Sequence, residues 1–323
     1  MYIVHTHTGK IYVDRTNQLE FLTVGDYGKE NNIKADFLGL TTEINGVKHK
    51  PVDLTKKWVA TISTQKGCAM QCRFCDCPKY GFYGNASLSE LADEIETILS
   101  NENVKHTDRF NVHFARMGEP TFNRNVLRFA RYKLRDLVSE YIDAKTIHPV
   151  VSTMMPKCNH DLKEYLIDWC YIKNYDYKGE AGLQLSINST SDVQRNNQFG
   201  HLSLDLVDIS IIANNLPKPV GRKYTLNFAV TKDTILDAWV LNNLFDRDMF
   251  IVKITPIHET HSAIANGYDV TTSYDDYDVY RQFEEPLLEL GWDVIVFVPS
   301  KEEDSDRITC GNALIADRNK RND

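Results

Sequence analysis

The stretch that decides the reading runs from Gly67 to Asn85, GCAMQCRFCDCPKYGFYGN. Cys68, Cys72 and Cys75 stand in it at CxxxCxxC spacing, with the aromatic Phe74 just before the last. Three thiolates on one short loop can hold three corners of a cubic 4Fe–4S cluster, which leaves its fourth iron open to an exogenous ligand. The other chemistry open to these thiols is zinc, which asks for a fourth Cys or His from a second paired spacing. Cys77 is the nearest candidate, but Cys75-x-Cys77 is tighter than a zinc knuckle. The spacing therefore points to the cluster, with Cys68, Cys72 and Cys75 as its metal ligands.

Working outward, WVATIST (58–64) before the loop reads as a strand. After it, Ser87 and Glu90 of SLSE form a capping box, and Leu88, Leu91, Ile95, Ile98 and Leu99 make the apolar stripe of a helix. The alternation continues. Strands are expected at RFNVHFA (109–115), IHPVVST (147–153), LQLSIN (183–188), KYTLNFAV (223–230), FIVKITPI (250–257) and WDVIVFVP (292–299). Helices are expected at 123–142, 160–172, near 191–198, 203–215, 234–246 and 274–290. Six βα units in a row imply a parallel sheet with right-handed crossovers. The fold class is thus α/β, a partial (β/α)6 barrel. In α/β barrels the active site is built from the loops after the strands. Cys68–Cys75, Gly118, Glu119, Ser152, Ser186, Asn188 and His258 all fall at or just after expected strand ends.

Residues 1–57 read differently. MYIVHT, KIYVDR and LEFLTV look like strands and GDYGKENN like a loop, a small β-rich N-terminal extension. His5 and His7 alternate with Thr, open to metal binding but read as strand-face residues. The expected division is 1–57 extension, 58–300 barrel, and 301–323 a polar tail carrying Cys310. A formal net charge of −8 weighs against a broad nucleic-acid footprint, while leaving room for a local basic patch. No apolar run reaches transmembrane length, the start lacks a signal-peptide pattern, and the cysteines look like ligands rather than a disulfide framework. A cytoplasmic protein with no membrane partner is expected.

The cysteine spacing resembles the radical S-adenosylmethionine (radical SAM) superfamily, and the surrounding motifs resemble a narrower branch, the RlmN and Cfr methyltransferases. GCAMQCRFC with the following Gly81–Phe82 and Asn85 resembles their cluster loop. ARMGEPTFN (115–123), VVSTMMPK (150–157), LQLSINS (183–189), ITPIHET (254–260) and DSDRITCGNAL (304–314) resemble later family segments in the same order, over about residues 60–315.

The resemblance implies a 4Fe–4S cluster and SAM as cofactors, with methylation of an sp2 carbon of an adenosine in RNA. It implies Gly118 and Glu119 at the SAM amine, Ser152 and Ser186 at its carboxylate or ribose, and Phe74 beside the adenine. Asn188 and His258 stand where the family has His and Asn, and both can still hydrogen-bond. Cys310 matches the family's methyl-carrying cysteine, a thiolate that takes a methyl group before transfer. An electron donor such as a flavodoxin or ferredoxin is implied as partner. One position departs: the family's second cysteine, seven residues before Cys68, is here Thr61, which cannot close a disulfide. Cys77 and Cys158 are the substitutes in reach of the same role.

Two surface features bear on partners. Arg124, Arg128, Arg131 and Arg135 form one helical stripe, a phosphate track or a solvated outer face. YDVTTSYDDYDVY (268–280) is acidic and reads as a loop and helix N-terminus. Two other readings stand beside the methyltransferase: a radical SAM enzyme that abstracts hydrogen directly from another substrate without a methyl-cysteine, and a non-catalytic metal-binding module.

Overall fold

The β-branched and aromatic runs pair into one ten-stranded sheet. In chain order its strands are β1 (Tyr2–His5), β2 (Gly9–Asp14), β3 (Leu19–Val24), β4 (Trp58–Ile62), β5 (Phe110–Phe114), β6 (Ile147–Thr153), β7 (Gly182–Ser186), β8 (Tyr224–Val230), β9 (Phe250–Pro256) and β10 (Val294–Val296). This computed structural model describes residues 1–24, 53–270, 277–299 and 301–317. The segment GDYGKENN and residues 271–276 of the acidic stretch lie outside the described residues.

β1 to β3 form an antiparallel meander, and β3 pairs antiparallel with β4, Leu22 opposite Thr61. From β4 to β10 every neighbour is parallel. The partial α/β barrel expected from the alternation is thus present, and the N-terminal strands continue its sheet.

Helices cover the outside. In α1 (Leu88–Asn101) the capping box forms, Glu90 N–H donating to Ser87 Oγ at 3.2 Å and Ser87 N–H to Glu90 Oε2 at 2.8 Å. Leu91, Ile95, Ile98 and Leu99 are buried against the sheet. The single helix expected over 123–142 is two, Arg124–Tyr132 and Leu134–Tyr141. Lys133 leaves the helical region at φ −125° and ψ −43°, and the break lets both pieces bury an apolar face, Val126, Phe129 and Ala130 on one and Leu134 and Val138 on the other. The helix expected at 234–246 starts at Ala238, where Asp237 Oδ1 caps it by accepting from Trp239 and Val240 N–H.

One further expectation is corrected, and one left open between two readings is narrowed. The C-terminal residues are no polar tail: Ile308, Ala313 and Ile315 are buried against Ile11, Val13, Leu22 and Val59. Hydrophobic burial, which sequence polarity averaged away, ties this segment to the N-terminal meander. The arginine stripe is largely an ion-paired outer face: Arg124 meets Asp168 at 3.3 Å, Arg131 meets Asp176 at 3.1 Å, and Arg135 donates to Asp176 O at 2.7 Å. It is thereby engaged with the neighbouring helical segment. Among the described residues no helix is long and apolar enough to cross a membrane.

Candidate active site

The cysteine loop hangs from the end of β4 and is closed at its base by a short antiparallel pair, Gln65–Gly67 with Phe82–Asn85. Cys68 N–H donates to Gly81 O at 2.9 Å. Gly67 has φ +78°, and a Cβ there would stand 1.9 Å from Gly81 O, so only glycine lets the two strands of the base meet. Cys68, Cys72 and Cys75 then line one cavity of about 190 Å³ together with Phe74, Glu119 and Asn188. Burial pushes the Cys68 thiol up to about 12, with Cys75 adding to the rise, and burial holds Cys72 well above the usual range. Cys75 is lowered, chiefly because the Cys77 thiol donates to it.

This donor set fits an iron–sulfur cluster. Thiols held neutral by burial give up their protons only to a strongly positive partner, and metal binding supplies that charge. Among the described residues no three His, Cys, Asp or Glu side chains gather around a single point. A cluster asks each cysteine to bind a different iron, so it suits sulfurs spread around one cavity.

Glu119 faces the loop from the turn after β5. Its Oε1 accepts from Thr121 N–H at 3.1 Å and Thr121 Oγ at 2.8 Å, and its Oε2 accepts from Met154 N–H at 3.0 Å. Burial pushes its carboxyl above the ordinary range despite these bonds. A buried carboxylate with lone pairs to spare suits a cationic ligand such as a primary ammonium. Gly118 has φ +98°, and a Cβ there would lie 2.6 Å from the Gln65 side chain, so the glycine lets the turn close on the loop. Gln65 Oε1 in turn accepts from Glu119 N–H at 3.0 Å. An ammonium ligand seated on Glu119 would lose a charge-assisted bond in Glu119→Gln, so that variant is expected to keep the fold and to bind SAM at least about tenfold more weakly, read as the dissociation constant of the cluster-loaded protein.

The remaining expected residues divide. Ser152 and Ser186 lie within the last residues of β6 and β7 rather than beyond them, and both line the cavity. Asn188 lines it too, but its Oδ1 is occupied by Ala229 N–H at 3.1 Å. His258 lines it with Nδ1 turned to Asp304 Oδ1 at 3.2 Å. Phe74 packs edge-to-face on Phe199 and Tyr268.

Cys310 is brought to the same cavity from the far end of the chain. Asp76 N–H donates to Gly311 O at 2.9 Å, tying the C-terminal loop to the cysteine loop, and a Cβ on Gly311 would sit 3.6 Å from Cys75 Sγ. Cys310 is solvent-accessible as a residue, yet its sulfur donates to Ala115 O at 3.8 Å. Burial pushes its thiol up to about 11, Cys75 adds to this, and Arg116 and Lys253 oppose it.

No family model matches the chain. It is similar to the probable dual-specificity RNA methyltransferase RlmN of Prochlorococcus marinus (strain MIT 9515), 34% identical over 90 residues that cover 28% of this chain and 25% of that protein. It is similar to the dual-specificity RNA methyltransferase RlmN of Campylobacter hominis, 35% identical over 68 residues, 21% of this chain and 19% of that one. Among solved structures it is similar to a radical SAM methyltransferase from Sphaerobacter thermophilus, with a TM-score of 0.58 at 15% identity over 98% of this chain and 80% of that chain. The chain shares its fold with that methyltransferase and carries a stretch similar to RlmN. The matched stretch spans a quarter or less of the first RlmN relatives' length. The cysteines and Glu119, which would hold a 4Fe–4S cluster and the ammonium of SAM, line one cavity.

Sequence reading missed the residues that hold this site together. Gln65 bridges the loop base and Glu119, and its Nε2 donates to Asn85 Oδ1 at 2.9 Å. Asp76 caps the segment after β9, accepting from Ser262 N–H at 2.8 Å and Ser262 Oγ at 2.7 Å. Arg116 is buried against Glu20 and donates to Thr309, Arg307 and Asn312 carbonyls at 3.2, 3.0 and 3.0 Å. One signal was present: polar residues at every second position of central strands, such as Gln184 and Ser186, where a two-sided buried sheet calls for apolar ones.

Proposed function

We propose that this chain is a radical SAM methyltransferase that modifies an sp2 carbon of a nucleobase, an adenosine in RNA, with Cys310 as the methyl carrier. The observation that carries the reading is the seating of Cys310 in the same cavity as Cys68, Cys72 and Cys75, its loop tied to theirs through Asp76 N–H and Gly311 O. When bound, the cluster and SAM supply the methyl group and a 5′-deoxyadenosyl radical.

The chain's own residues have separate tasks. Cys68, Cys72 and Cys75 hold the cluster. Glu119 orients SAM by its ammonium, and Ser152 and Ser186 offer hydroxyls to its polar ends. Cys310, as thiolate, would take the methyl group that bound SAM supplies, its S–CH3 bond forming as the sulfonium–CH3 bond breaks and S-adenosylhomocysteine is released. Phe74, with Phe199 and Tyr268, supplies an apolar wall for the adenine. A reductant such as flavodoxin or ferredoxin delivers the electron, in the cytoplasm.

Anaerobic turnover with methyl-deuterated SAM and total cellular RNA tests this. Label is expected on Cys310 by peptide mass spectrometry and on a methyladenosine by nucleoside mass spectrometry. Label on neither defeats the reading.

A second reading is favoured by Thr61, which lines the cavity beside Cys310 where a cysteine would be needed to close a disulfide. Direct hydrogen abstraction from another substrate needs no such cysteine. It predicts 5′-deoxyadenosine formation that is unchanged in Cys310→Ala.

A further inference from the structure

Beneath Cys310 the cleft deepens into a second cavity of about 230 Å³ inside the barrel. Its wall is built from neighbouring strands at matched depth: Thr61 beside His113, Ser152 beside Gln184, and Asn227 beside Lys253. Barrel interiors are ordinarily filled by branched apolar side chains. Here six inward positions are polar, and a polar lining around open space marks a ligand pocket.

Lys253 is the decisive residue. Its Nζ lies 5.1 Å from the centroid of the Phe297 ring, and among the described residues no carboxylate forms an ion pair with it. Glu303 is the one carboxylate among the lining residues, and its field acts on Lys57. Burial holds His113 low, to about 3, and the positive field of Lys253, Lys57, Arg222 and Arg109 adds to it. His113 is therefore neutral. The side chains of His113, Gln184 and Asn227 make no hydrogen bond to protein among the described residues. Each amide can offer a donor and an acceptor together, which suits the edge of a planar heterocycle. A cation enclosed without an anion is costly, and a bound anion removes the cost. A lysine ammonium is a point charge of the kind that binds phosphate.

We propose that this barrel cavity is the substrate pocket and that Lys253 pairs with a phosphate carried by the target nucleoside, whose ring meets Gln184, Asn227 and His113. This rests on reading the cleft as the catalytic site and adds a binding contact for its substrate. The phosphate has two sources, the internucleotide linkage of RNA or the terminal group of a free mononucleotide.

Binding, not turnover, tests it. Cluster-loaded protein saturated with S-adenosylhomocysteine, added to fill the proposed SAM site, is titrated with adenosine, adenosine 5′-monophosphate and the dinucleoside monophosphate ApA. At least one phosphate-bearing probe is expected to bind about tenfold or more tighter than adenosine. A stronger response to ApA assigns RNA as the source, and a stronger response to the monophosphate assigns a free nucleotide. Lys253→Met is expected to erase the preference while raising the melting temperature, since it removes an enclosed cation that has no carboxylate partner among the described residues. Lys253→Arg is expected to retain it, which separates charge from folding. The proposal is overturned if adenosine and both phosphate probes bind equally, if none binds, or if the preference survives Lys253→Met. Because methyl transfer is not measured, failure of the methyltransferase reading leaves this outcome readable.

Discussion

Cys310→Ala is expected to lower methyl transfer by roughly four orders of magnitude, since it removes the only atom in the cleft assigned to carry the methyl group. Four-iron absorbance and SAM binding are expected to stay as in the unmodified protein. The separation follows from the geometry: Cys310 shares the cavity, while Cys68, Cys72 and Cys75 come from a loop closed on its own base. Cys310→Ser sharpens the test, because it keeps the volume and a hydrogen bond but replaces the thiolate with a poor nucleophile. Methyl transfer persisting in either variant rules out Cys310 as carrier. If 5′-deoxyadenosine still forms at the same rate in both, hydrogen abstraction from another substrate becomes the better account.

Breaking the ion pair that seats the C-terminal loop is expected to have the largest effect on stability. Arg116 and Glu20 are almost fully enclosed, with side-chain exposures of 1% and 0%. Glu20 also accepts from Leu314 N–H at 3.1 Å and Ile315 N–H at 2.6 Å. Arg116 spends its remaining N–H groups on the carbonyls of Arg307, Thr309 and Asn312. The pair thus clamps the loop on both sides of Cys310 to β3 and to the turn after β5. Glu20→Gln or Arg116→Met leaves a buried charge without its partner, at a cost of about 3–5 kcal/mol. Urea unfolding is expected to show this loss, and hydrogen exchange to show early opening of residues 307–315. The double variant Glu20→Met with Arg116→Met is expected to recover part of the stability, since no isolated charge remains. Singles as stable as the parent protein remove the clamp from the account.

The sequence was most informative where the governing quantity is local. Spacing alone placed Cys68, Cys72 and Cys75 on one loop, and Ser87 with Glu90 announced the helix that follows. Hydrophobic runs of strand length located all seven parallel strands. Local pattern was weaker where two short elements share one apolar period: the helices on either side of Lys133 read as one, because the 3.6-residue stripe continues across a break that only packing requires. Polarity misled at the C-terminus, where Ile308, Ala313 and Ile315 are few among charged neighbours yet bury together.

By itself, then, the sequence determined the cysteine loop, the parallel α/β barrel and the strand ends where chemistry gathers, because these depend on spacing and period along a few residues. Only the tertiary structure decided that Glu20 and Arg116 seat Cys310 against the loop, and that Thr61, His113, Gln184, Asn227 and Lys253 face one cavity. Those placements depend on register between strands far apart in the chain, and register is set when the whole sheet closes its core, not by any one segment.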